Sequence, residues 1–284
     1  MEALNLQDAE LIVRNMRFVY PPPKKLEAIK RVDFTIRHGE MVALIGHNGS
    51  GKTTLSKLIS GYLKPTEGTI KIGGMEVAKM HPRVRPTVVG YVFQNPDQQV
   101  FKDSVLEDIM FGLLNLHTPP EAAEKKAREY MERLELTKYA DLHPFRLGKG
   151  DRQRVAFAGI LVMDPKILIV DEPTTGQDPE KAREIMRLLQ QLNRENGITV
   201  IVVTHSMDLV AEFTKRIIVM GGGEILLDGT PKEVFSQPEI LAKTYVQPPQ
   251  IARLGLEMQW KDLPMTVDEA VERLTAEVQK ESVR

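Results

Sequence analysis

Eight consecutive residues, Gly46, His47, Asn48, Gly49, Ser50, Gly51, Lys52 and Thr53, fit the spacing G-x-x-x-x-G-K-[ST], and Thr54 follows them. A glycine-rich loop of this kind can wrap its backbone N–H groups around the phosphates of a nucleotide, and the N-terminus of the next helix adds favourable potential. Lys52 then reaches the β- and γ-phosphates, and the Thr53 hydroxyl ligates Mg²⁺. The alternative is a glycine turn with an incidental lysine, which the strand before it and the helix after it make the weaker reading. A second stretch, "ILIVDEP", ends an apolar run in Asp171 and Glu172. An acidic pair after a strand is commonly a loop or a cap. Beside a phosphate loop, however, Asp171 suits Mg²⁺ and Glu172 suits a base for an attacking water. "IVVTHS" repeats the pattern and ends in His205. A histidine there is either a hydrogen-bonded structural residue or, at the C-terminal edge of a sheet, a group facing the phosphates.

These stretches need strands that end side by side. Met41 to Ile45 is an apolar run before the glycine loop, and Leu55, Leu58 and Ile59 continue beyond it at helical spacing. "LIVRNMRFVY" and "AIKRVDFTI" read as strands, as do "GTIKIGG", "VVGYVFQ", "KILIVDEP", "ITVIVVTH", "RIIVM" and "GEILLDG". Helices are predicted over "PEKAREIMRLLQQLNREN", over an amphipathic segment after "FRLGKGD", and over 118–136, where Thr118 caps, Pro119 opens the first turn and Glu121 completes a capping box. Strands alternating with helices imply an α/β fold with a mostly parallel core sheet. The first strands look like an antiparallel β subdomain, and the helices at about 103–163 look like an inserted helical subdomain. "VQPPQ" resembles a linker into a tail, where Thr266 and Glu269 form a capping box and Val267, Val271, Leu274 and Val278 form one apolar stripe.

Composition narrows the function classes. The 284 residues carry 38 basic and 39 acidic side chains, a net charge of −1, so there is no bulk attraction to nucleic acid or to an anionic membrane surface. Cysteine is absent, which removes disulfides, thiolate metal sites and cysteine nucleophiles together. The opening residues "MEALNLQDAELIV" lack the basic and apolar regions of a signal peptide, and runs such as "ITVIVV" are too short to cross a bilayer, so a soluble or peripheral chain is expected. The six histidines are scattered, with no pair at metal-ligand spacing.

With these motifs in this order, the sequence resembles the ATP-binding cassette (ABC) ATPases, P-loop NTPases, over nearly all of residues 10–240. The resemblance implies a nucleotide-binding domain over 8–243, a C-terminal extension over 244–284, and ATP with Mg²⁺ as ligands. It also implies residue roles. Tyr20 would stack on adenine, Gln94 would contact Mg²⁺ and the lytic water while linking the site to a membrane subunit, His205 would hold the γ-phosphate, and Asp178 would lie in a loop that communicates across a dimer. Where the family carries Leu-Ser-Gly-Gly-Gln, in the loop that grips the partner subunit's nucleotide, this chain has Leu147, Gly148, Lys149, Gly150 and Asp151. Gly148 has no hydroxyl and Asp151 adds negative charge. Lys149 supplies a cation and Gly150 leaves the backbone free to approach a phosphate. A drifted, idle loop and a modified, working one are both open at this point.

"FQNPDQQVF", "DEPTTGQDP" and "PPQIARLG" are similar to the ATPase subunits of energy-coupling-factor transporters, importers of vitamins and transition-metal ions. That similarity implies a peripheral protein on the cytoplasmic face of the cell membrane, paired as a homodimer or with a sister ABC ATPase. Its partners would be an integral-membrane scaffold, contacted near Gln98 and Gln99, and a substrate-binding subunit, and the C-terminal extension would help hold the pair. Two rivals are a soluble cassette acting on ribosomes or nucleic acid, disfavoured by the absence of a basic patch, and a non-hydrolytic partner subunit, which the altered loop permits.

Overall fold

The computed structural model describes residues 10–282. The expected domain start at residue 8, most of the N-terminal stretch and the last two residues of the tail lie outside the described residues. Ten strands follow in chain order: β1 (Leu11–Val19), β2 (Glu27–Ile36), β3 (Met41–Ile45), β4 (Glu67–Ile72), β5 (Met75–Glu76), β6 (Val89–Val92), β7 (Ile167–Asp171), β8 (Thr199–Val203), β9 (Arg216–Gly221) and β10 (Glu224–Gly229).

They form two sheets. A six-stranded sheet in the order β10-β9-β3-β8-β7-β6 is parallel except for β10, and an antiparallel four-stranded sheet runs β2-β1-β4-β5. All five residues of β3, of β7 and of β8 are buried, as expected of parallel strands covered on both faces. On one face, Val42, Leu44, Ile169 and Ile201 pack with Leu11, Val13, Ile29 and Leu55 from the antiparallel sheet and the helix Lys52–Ile59. On the other, Leu168, Val170 and Val200 pack with helical residues such as Ile109, Phe157 and Leu189. The helix Pro179–Asn196 fits this face through Ala182, Met186, Leu189 and Leu192, spaced to recur on one side.

The inserted segment holds the helices Val105–Asn115, Pro120–Arg133 and Lys149–Leu161. Two expectations there need correction. Pro119, not Thr118, is the N-cap residue and no side chain caps this helix, because Pro120 drives the residue before it into extended backbone (φ −53°, ψ 139°). The helix Lys149–Leu161 is not amphipathic: Val155, Ala156, Phe157 and Ala158 are buried in succession, since the helix is enclosed by its two helical neighbours and β6.

Beyond β10, the chain returns to the main core. Val246, Ala252, Leu263 and Met265 pack with Ala43, Ile45 and Val219 of β3 and β9. In the last helix, Val267–Ser282, Thr266 Oγ1 accepts from the Glu269 N–H. The expected box closes one residue early, because Glu269 Oε2 accepts from the Met265 N–H at 2.7 Å. Val267 and Val271 of the predicted stripe are 65% and 54% exposed, so the domain does not cover them.

Candidate active site

Sheet order explains the site. β3, β8, β7 and β6 are successive neighbours and all parallel, so their C-terminal ends share one edge. The glycine loop follows β3, His205 follows β8, Asp171 ends β7 with Glu172 next, and Gln94 follows β6. Local motifs far apart in sequence thus line a cleft of about 610 Å³ together with Tyr20, Asn48, Gly49, Gly51, Lys52, Thr53 and Thr54. Gly46, His47 and Ser50 complete the loop, and Ser50 is fully buried.

The loop tolerates little change. Gly46 has φ +144°, and a Cβ there would lie 2.1 Å from the Met220 carbonyl oxygen. Gly51, at φ +107°, begins the helix Lys52–Ile59, whose first turn has no side-chain cap; its N–H groups are oriented for an anion. Lys52 Nζ donates to the carbonyls of Gly46 at 2.7 Å and His47 at 3.0 Å. Burial lowers the Lys52 pKa from the ordinary lysine value, against the opposing pull of Glu172 and Asp171.

Asp171 is buried and its Oδ2 accepts from Tyr91 Oη at 2.7 Å. Burial and the carboxylate together push the Tyr91 phenol far up, so it stays a proton donor at any working pH. Tyr91→Phe strips a buried charge-assisted hydrogen bond and is expected to lower unfolding stability by about 1.5–3 kcal/mol. Urea denaturation measures it, and a loss of only a few tenths would show that Asp171 does not depend on Tyr91.

Glu172 sits at φ +51°, a left-handed conformation that costs a non-glycine residue about 1–2 kcal/mol. Its N–H donates to the Val203 carbonyl at 2.8 Å, which fixes the turn against β8. One carboxylate oxygen accepts from Thr175 Oγ1 at 3.0 Å, and the other lies 3.1 Å from His205 Nε2. Burial raises the Glu172 pKa above the ordinary range, opposed by Thr175 and Lys52. Burial, then Lys52, lowers that of His205, which favours the neutral imidazole with one N–H.

Tyr20 borders the cleft with its ring braced edge-on by Phe18 and its hydroxyl 3.0 Å from Thr54 Oγ1. Gly148, Lys149, Gly150 and Asp151 are not in this cleft. They border a separate depression of about 540 Å³ between the helical insertion and the helix Pro179–Asn196. Asp151 Oδ2 accepts from Tyr139 Oη at 3.1 Å, Asp151 Oδ1 lies 4.0 Å from Arg154 Nη1, and Lys149 Nζ donates to the Thr175 carbonyl at 3.3 Å. Asp178 caps the helix Pro179–Asn196 by accepting from the Lys181 N–H at 3.0 Å, which lowers its pKa. Gln99 folds back on the end of β6, accepting from the Phe93 N–H and donating to the Tyr91 carbonyl, so the turn around Gln94 is internally braced.

Three residues that sequence reasoning passed over join this framework. Tyr91 orients Asp171. Gln153 is buried and donates to the Pro173 carbonyl at 2.6 Å while accepting from Gln177 at 3.0 Å, tying the helix behind the 147–151 loop to the loop after Glu172. Thr244 bonds the His47 N–H. Nothing local marks them, because each acts on a partner distant in sequence.

Comparison with known proteins converges on one family. The model of the ABC transporter family matches residues 29–175. A putative ABC transporter ATP-binding protein of Methanosarcina mazei is 44% identical over 247 residues, covering 86% of this chain and 42% of that protein. This chain thus spans less than half the length of that relative, and likewise 38% of one from Methanosarcina acetivorans. The energy-coupling factor transporter ATP-binding protein EcfA of Methanocaldococcus jannaschii is 42% identical, with 88% of this chain and 90% of that protein covered. Among solved structures, cbiO1 of Clostridium perfringens, described as part of the ABC transporter complex cbiONQ, superposes with a TM-score of 0.74 at 36% identity, covering 89% of this chain and 99% of that one. Motifs, sheet order and relatives agree: the chain belongs to the ABC transporter family.

Proposed function

We propose that the chain is the Mg²⁺-dependent ATP-hydrolysing subunit of an energy-coupling-factor importer for a vitamin or a transition-metal ion. In this reading it is peripheral on the cytoplasmic face of the membrane, pairs with a second copy or a sister ATPase, and works with an integral-membrane scaffold and a substrate-binding subunit. The observation that carries it is the meeting of Lys52, Gln94, Asp171, Glu172 and His205 in one cleft at the ends of adjacent parallel strands. No helix among the described residues is long and apolar enough to cross a membrane.

The residues fit both ligands. The Thr53 hydroxyl, the Asp171 carboxylate and the Gln94 amide oxygen are hard oxygen donors suited to Mg²⁺. Among the described residues no cluster of His, Cys, Asp and Glu is arranged to hold a metal by itself. When bound, Mg²⁺ neutralises charge developing on the β- and γ-phosphate oxygens. Residues 46–54 cradle the phosphates, Lys52 meets the β- and γ-phosphates, and Tyr20 stacks on the base. Glu172 takes a proton from the attacking water, a role its raised pKa favours, while neutral His205 donates to the γ-phosphate.

Gly148, Lys149, Gly150 and Asp151 lie outside the chain's own cleft, which supports a role toward a partner's nucleotide, with Asp178 near the same junction. The Asp151 carboxylate is engaged by Tyr139 and lies near Arg154, so it need not confront a phosphate, and the altered loop is read as working rather than idle. The proposed division is a cassette over 8–243 and an extension over 244–284 whose exposed Val267 and Val271 help to pair the subunits. Purified chain is expected to release phosphate from ATP only with Mg²⁺, alone or with its partner chains, and to stop when the metal is chelated. Turnover indifferent to chelation would overturn the oxygen-donor assignment.

A further inference from the structure

The phosphate loop is gripped from far outside its own motif. The His47 N–H donates to Thr244 Oγ1 at 3.1 Å, a residue 197 positions further along the chain. The same hydroxyl donates to the Met220 carbonyl at 2.8 Å. Thr244 is fully buried, two residues beyond the helix Pro238–Ala242, and its own N–H donates to Leu241. Met220 follows Val219, the register partner of Ile45, and a Cβ on Gly46 would strike the very carbonyl that Thr244 bonds. One hydroxyl therefore joins the start of the loop, the end of the neighbouring strand and the chain that leads into the C-terminal segment.

The Gly46–His47 peptide group is held at both ends, by Thr244 on the His47 N–H and by Lys52 on the Gly46 carbonyl at 2.7 Å. Tyr245 adds an edge-on contact with the His47 ring at 5.8 Å between centroids. Tyr245 itself has φ +53°, which a bulky residue rarely adopts, so the backbone at 244–245 is closely determined by its surroundings.

We propose that Thr244 is a positioning residue of the phosphate loop: its hydroxyl orients the Gly46–His47 peptide group on which Lys52 rests, and it ties nucleotide affinity to the C-terminal segment. This rests on the reading of residues 46–53 as the nucleotide site. Both functions need a hydroxyl that accepts and donates at once. Valine keeps the shape of threonine but leaves the His47 N–H and the Met220 carbonyl without this partner, whereas serine supplies both functions.

The test measures binding of a fluorescent ATP analogue with Mg²⁺ to the full chain, alongside thermal unfolding. Thr244→Val is expected to weaken binding about tenfold, the worth of one buried hydrogen bond, and Thr244→Ser to stay within about twofold of the unmodified chain. Val234→Ala, in the hydrophobic cluster that packs on β3 and β9 and with no polar side-chain group to offer the loop, is expected to lower Tm with affinity unchanged. A folded Thr244→Val variant of normal affinity, or a serine variant as weak as the valine one, overturns the proposal. Lys52→Ala separates the two levels: normal binding by that variant defeats the nucleotide-site reading, while weak binding beside a normal Thr244→Val defeats this proposal alone. Hydrogen exchange needs no variant. The His47 amide of the nucleotide-free chain is expected to be protected, and exchange as fast as an exposed loop amide overturns the proposal whether or not the variants fold.

Discussion

Glu172→Gln is expected to lower ATP turnover by about 10² to 10⁴-fold while ATP still binds, the loss typical of removing a positioned general base. The substitution keeps the size of the side chain and an amide oxygen able to accept from Thr175 Oγ1, and takes away the capacity to accept a proton. The unmodified chain carries a pH signature of the same group. Because burial raises the Glu172 pKa, the ionised base is lost as pH falls through that raised value, so the acid limb of turnover lies above the ordinary glutamate pKa of about 4.3. The glutamine variant is expected to lack that limb in whatever activity remains. With hydrolysis blocked, ATP and Mg²⁺ are expected to convert the variant into a dimer, read as a doubling of mass in solution. A nucleotide-bound monomer would assign the missing grip to a sister ATPase, and undiminished turnover would remove Glu172 from the chemistry.

Lys52→Ala is expected to cost about 10² to 10³-fold in turnover at saturating ATP, the loss seen when a preorganised electrostatic contact to developing charge is deleted. Nucleotide affinity is expected to fall with it, because the ammonium meets the phosphates before as well as during the reaction. Its starting geometry is well defined, with two loop carbonyls accepting from Nζ and both acids of the site within electrostatic reach. Steady-state kinetics with a parallel binding measurement checks both parts. Turnover within a few-fold of the unmodified chain would mean that the loop binds phosphate without using its lysine in catalysis.

Much of the fold was legible because its signals are local. A five-residue apolar run at Met41–Ile45 before glycines, and similar runs before Asp171 and His205, are what buried parallel strands require, and the structure has strands there. Helical boundaries were less legible. Thr118 and Glu121 have the spacing of a capping box, yet Pro120 forces extended backbone at Pro119 and moves the start by one residue. The enclosed helix Lys149–Leu161 has no single polar face, since surfaces from several elements surround it, and no periodicity within it announces that.

The loop at 147–151 shows the same division. Its residue types set the question of whether an acid and a lysine can replace an amide and a glycine. The tertiary structure adds that Asp151 turns to Tyr139 and that Lys149 reaches the carbonyl of Thr175, the residue whose hydroxyl holds Glu172. Neither contact follows from the loop itself.

By itself, the sequence determined which candidate groups stand at the strand ends: a glycine-rich loop with its lysine and hydroxyl, an Asp-Glu pair, and a histidine, each recognisable because it is read from a few adjacent residues. Only the tertiary structure decided which distant groups hold them in place, with Tyr91 on Asp171, Gln153 on the loop after Glu172, and Thr244 on the peptide beneath Lys52. The physical reason is that a hydrogen bond depends on position in space. A buried hydroxyl or amide that orients a backbone 197 residues away leaves no pattern around itself in the chain.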